Sequence, residues 1–277
     1  MLKKLAIAAA LAAAFSGGAF AATTTVSNGS LMAAIGDNGT FDMSGGPGTP
    51  GLSWGGTEFV NIDVPASWFV FNASGTDMTS YSIGPTSAFA GSLTTGGGFA
   101  ATTAAIGGWS FSQVVLAANP DKLTVTLNIT NNTGAAVAGM YSVGFDPDQG
   151  GSGSNATVNE ILATGGASAV SATAAGKTVT LQNDTSASAF SIFPYINVGD
   201  CCSAVSPVGT AFQGVAFTTS ADDSINLIYD LGRIANGQTV SIGYSYMFAP
   251  VPEPGTYALL IAGLGAIGFI AKRRKMM

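Results

Sequence analysis

The sequence predicts a mainly β protein, with an antiparallel β-sandwich body between a signal peptide and a single transmembrane helix. Three observations carry this. Apolar residues along the middle of the chain alternate with polar ones at a period of two, as in strands buried on one face. Glycine makes up 38 of 277 residues and clusters with asparagine and aspartate in short turn-like stretches. Each end carries an uncharged apolar run flanked by basic residues.

At the N-terminus, Lys3 and Lys4 precede an alanine-rich run from Leu5 to Phe15. Ser16, Gly17 and Gly18 break the helix, and Ala19 and Ala21 supply a small-x-small cleavage pattern. Residues 1–21 therefore read as a secretory signal, cut by signal peptidase after Ala21.

The body spans 22–249. Asp37-Asn38-Gly39 lies between Leu31–Ile35 and Thr40–Met43 and predicts a tight hairpin. Trp68-Phe69-Val70-Phe71 reads as a buried strand, and Trp109, Phe111 and Val115 mark another. Lys122–Thr130 alternates through Leu123, Val125, Leu127 and Ile129. After the turn at Asn131-Asn132-Thr133-Gly134, Val137–Phe145 returns with Val137, Tyr141, Val143 and Phe145 on one face. Ser224–Asp230 carries Ile225, Leu227 and Tyr229, and Thr239–Phe248 alternates through Val240, Ile242, Tyr244, Tyr246 and Phe248. No body segment has helical periodicity, no fixed repeat appears, and no linker separates two halves, so one domain is expected.

The C-terminal segment, 250–277, opens with Pro252-Glu253-Pro254. The two prolines hold Glu253 extended, as a protease cleft requires. The 18 residues from Pro254 to Ala271 carry no charge, and a transmembrane helix is expected at about 255–271. Lys272, Arg273, Arg274 and Lys275 would stay on the cytoplasmic side, leaving the body outside. The stretch VPEPGTYALLIAGLGAIGFIAKRRK, Val251 to Lys275, closely resembles the PEP-CTERM sorting signal of Gram-negative bacteria. The resemblance implies export, a transient membrane anchor, and processing near Pro252, Glu253 and Pro254 by an exosortase. It further implies a final place at the cell surface or in an extracellular polysaccharide matrix. Asn128–Gly150 and Asp222–Phe248 also resemble the bodies of other secreted PEP-CTERM proteins, more loosely.

Composition limits the chemistry of the body. The chain has no histidine, which excludes Ser-His-Asp and Cys-His catalysis and imidazole metal sites. Between Ala22 and Ala249 only Lys122, Lys177 and Arg233 are basic, against fourteen acids, so a nucleic-acid partner is not expected. The expectation is a non-enzymatic structural or adhesive protein. A glycan- or calcium-binding module is the alternative, and a carboxylate-dependent glycosidase a third reading. No cofactor is required; calcium is the candidate ion. Asp146 and Asp148, two apart at a strand end before glycine-rich loop, could ligate it, with Asn155, Asn159 and Glu160 downstream; the alternative is turn chemistry at the same residues. Trp54, in a glycine-rich loop, is the candidate for stacking on a sugar, whereas Trp68 reads as core. Cys201 and Cys202 are adjacent and could form a vicinal disulfide, an intermolecular bridge or free thiols.

Overall fold

Burial follows the period-two pattern. Leu123, Val125, Leu127 and Ile129 are buried, while the residues between them reach solvent wholly or in part. The computed structural model describes residues 23–41, 51–60, 67–81, 92–96, 99–149, 156–186, 190–251, 262–264 and 267. The strands there are β1 (Thr23–Asn28), β2 (Leu31–Gly36), β3 (Leu52–Trp54), β4 (Thr57–Glu58), β5 (Ser67–Ala73), β6 (Thr76–Tyr81), β7 (Ser92–Gly96), β8 (Phe99–Ile106) and β9 (Trp109–Asn119). They continue with β10 (Lys122–Asn131), β11 (Val137–Phe145), β12 (Thr157–Ala163), β13 (Ala169–Ala174), β14 (Lys177–Asn183), β15 (Ser191–Asn197), β16 (Thr218–Ala221), β17 (Ser224–Ile234) and β18 (Thr239–Pro250).

All strand pairs are antiparallel and form three sheets. The largest has the order β16-β12-β13-β14-β18-β10-β9-β8-β7, the second β15-β17-β11-β5-β6, and the smallest β1-β2-β3-β4. The two larger sheets meet through aromatic side chains. Phe71 of β5 packs on Trp109 and Phe111 of β9, with ring centroids 4.7 and 5.3 Å apart. Phe145 of β11 meets Tyr246 of β18 at 5.3 Å. The smallest sheet joins the same core. Trp54 and Phe59 both pack on Phe248, at 6.1 and 5.0 Å.

The strands expected at 122–130, 137–145, 224–230 and 239–248 are present as β10, β11, β17 and β18. Of the hairpin expected at Asp37-Asn38-Gly39, Asp42 and Met43 lie outside the described residues. The turn forms, with Asn38 Oδ1 accepting from the Thr40 N–H and hydroxyl. The described part of the returning arm bridges Phe41 to Ile35 of β2, a strand that also pairs with β1 and β3. Proline falls where the ladder tolerates it: Pro194 lies in β15, an edge strand that pairs only with β17.

The expected signal peptide, with Ala19 and Ala21, lies outside the described residues. So do Pro252, Glu253 and Pro254, the basic residues Lys272, Arg273, Arg274 and Lys275, and most of the expected transmembrane segment. Residues 262–264 and 267 are helical, and among the described residues no helix is long and apolar enough to cross a membrane.

Candidate functional site

Three segments converge at one end of the second sheet. The first leaves the C-terminal end of β11 and carries Asp146 and Asp148. Both are almost wholly buried, and the Asp148 N–H donates to the Phe59 carbonyl at 2.9 Å. The second holds Asp200, Cys201 and Cys202 after β15. The Asp200 carboxylate caps its own turn, with Oδ1 accepting from the Cys202 and Ser203 N–H groups. Its carbonyl accepts from the Ser224 N–H and hydroxyl. The third is the β16–β17 turn with Asp222 and Asp223. Asp223 Oδ1 accepts from the Gly199 N–H at 2.7 Å, which ties the third segment to the second.

The result is a close group of carboxylates. Oxygens of Asp146, Asp148 and Asp222 all lie within 4.8 Å of one another. Burial, then the charges of Asp148 and Asp222, push the proton affinity of Asp146 well above the ordinary carboxylate range. Asp222 is raised too, by burial and by the charge of Asp223. No basic side chain of the body offsets this. Lys122 pairs with Asp184 at 3.0 Å. Lys177 Nζ donates to the carbonyls of Trp54 and Gly55 and to the Thr57 hydroxyl. Arg233 donates to the Ala136 carbonyl.

Cys201 and Cys202 are joined to each other as a vicinal disulfide. It borders the group, with Cys202 Sγ 3.7 Å from Asp146 Oδ2.

The remaining sequence candidates lie apart from this group. Asn159 and Glu160 stand on opposite faces of β12. Asn159 is fully buried and spends its amide on Thr157, Thr219 and the Ala221 carbonyl. Glu160 is half-buried in the pair with Thr218 and is not among the grouped carboxylates. Asn155 lies outside the described residues. Trp54 is half-buried. Its Nε1–H donates to the Pro120 carbonyl at 2.9 Å, its ring stacks on Phe248, and Lys177 Nζ stands 5.5 Å from the ring centroid. Trp68 and Trp109 are core residues, as is Tyr141. The side chain of Tyr81 is outside the described set.

Sequence reading reached Asp146 and Asp148 through their spacing but missed Asp222. Its only local signal is an acidic pair, Asp222-Asp223, in a turn. The fold brings that turn beside a strand end far away in the chain.

No curated protein sequence matches the chain. Among solved structures, a bacterial glucoamylase complexed with acarbose is similar with a TM-score of 0.50 and 10% identity, covering 88% of this chain and 34% of that one. At that identity the likeness is one of fold. An Escherichia coli K12 protein assigned as an aldose 1-epimerase aligns with a TM-score of 0.45 and 12% identity, over 83% of this chain and all of that one. A heparan sulfate lyase of Pedobacter heparinus aligns at 0.40 and 10%, over 79% of this chain and 30% of that one. The specific match is at the C-terminus, where the PEP-CTERM protein-sorting motif fits residues 250–275.

Proposed function

We propose that this protein is exported under the signal at 1–21 and displays residues 22–249 as one β-sandwich body. An exosortase then processes it through the signal at 250–277. In this reading Pro252, Glu253 and Pro254 are recognised by the enzyme, the helix at about 255–271 holds the chain in the membrane until processing, and Lys272 to Lys275 mark the cytoplasmic side. The body ends at the cell surface or in an extracellular polysaccharide matrix. There its role is structural or adhesive and not enzymatic. The observation that carries the reading is the motif match at 250–275. The absence of histidine and the acidic body support it, since they leave oxygen ligands and packed surfaces as the working parts.

Deleting Val251 to Met277 tests the proposal. The truncated chain is expected to leave the membrane and surface fractions and accumulate as a soluble exported protein. Unchanged location and unchanged processing would refute it.

A further inference from the structure

We propose that the segments around Asp146–Asp148, Gly199–Cys202 and Asp222–Asp223 form a calcium-binding site, with Asp146, Asp148 and Asp222 as its carboxylate ligands. The site lies apart from the sorting signal, and its test does not depend on processing.

The spacing fits the ion. Calcium–oxygen distances are about 2.3–2.6 Å, so oxygens on opposite sides of one ion stand about 5 Å apart. Oxygens of the three aspartates all lie within 4.8 Å of one another. Three carboxylates drawn that close, two of them almost wholly buried, repel strongly unless a proton or a cation lies among them. Basic side chains do not supply that cation, since Lys122, Lys177 and Arg233 are engaged elsewhere.

A second observation comes from hydrogen bonding. Asp223 is fully buried and adjoins Asp222 in the β16–β17 turn. One of its oxygens takes the Gly199 N–H, while the other, Oδ2, is buried without a hydrogen-bond partner. Asp222 Oδ1 is likewise buried and unpartnered. Buried acceptors are normally satisfied, so two orphaned carboxylate oxygens at one turn point to a ligand that accepts lone pairs.

The donor chemistry selects the metal. The chain has no histidine, and both cysteine sulfurs are held in the disulfide, so soft or imidazole-seeking ions lack their ligands. Hard oxygen donors suit calcium or magnesium. The donors come from separate loops, which favours the larger and more adaptable calcium.

The test uses the full-length chain in detergent, stripped with a chelator and titrated with calcium chloride by calorimetry. Magnesium chloride is the comparison. One calcium per chain is expected, bound at least tenfold more tightly than magnesium. Asp148→Asn and Asp222→Asn are each expected to weaken calcium binding more than tenfold, while Asp184→Asn, beside Lys122, leaves it unchanged. The melting temperature of each variant without calcium checks folding. Asp222→Asn, on a partly exposed turn, serves if Asp148→Asn does not fold. No calcium heat, equal binding of magnesium, or undiminished binding by folded Asp222→Asn would overturn the proposal. For the unmodified protein, identical melting with calcium and with chelator would do the same.

Discussion

Glu58 couples the smallest sheet to pH. Its Oε1 accepts from the Leu52 and Phe59 N–H groups, and burial raises its pKa to about 7 from 4.5. The folded state therefore holds this proton more tightly than the unfolded chain does. The stability it contributes is fully present below about pH 4.5 and is lost as pH rises through about 7. Glu58→Gln keeps the accepting oxygen and removes the titration. Thermal melts of the variant are expected to lack the wild-type decline across that window, a difference on the order of 1 kcal/mol once partial exposure is allowed for. Trp54 is the second instructive side chain. Its ring and its N–H are both used within the fold, so Trp54→Ala is expected to cost about 2 kcal/mol in chemical denaturation. A folded variant of unchanged stability would show that the ring is not a packing element. At this scale the sequence made Asp146 and Asp148 legible by their spacing. It could not show that Trp54 packs within the fold, because Phe248 lies in β18 and Pro120 in the β9–β10 turn, both distant in the chain.

Among the elements, β11 fixes both the core and the site. Gly144 pairs with Asn226 of β17 and Trp68 of β5, and a Cβ there would collide with the Asn226 amide that accepts the Trp68 indole N–H. Gly144→Ala is therefore expected to lower stability by about 2 kcal/mol or more, read from denaturant midpoints. If the variant binds calcium weakly while folded, β11 also sets the position of Asp146. Strands with large alternating side chains, such as β10 and β18, were legible because the apolar contrast is strong. Strands β12 to β16 were not. AVSATA in β13 is built from small residues with almost no alternation in hydrophobicity, and its burial comes from tertiary packing. The hairpin at Asp37 was legible as a turn, because Asn38 bonds to the backbone and hydroxyl two residues on.

Over the whole molecule, charge is divided by place. Six of the nine basic residues sit in the two end segments, and the body between them is acidic. The sorting motif at 250–275 was the most legible part of the sequence, because the order of motif, apolar run and basic residues is linear and needs no folding to be read. The carboxylate group was legible in part, because its third member, Asp222, is brought in by the fold. The central claim is that the body is delivered by processing at Pro252-Glu253-Pro254. Intact-mass analysis of the protein recovered from the cell surface tests it most directly. The expected product begins at Ala22 and has lost the apolar segment and Lys272 to Lys275. A surface protein whose mass retains the chain through Met277 would contradict the account.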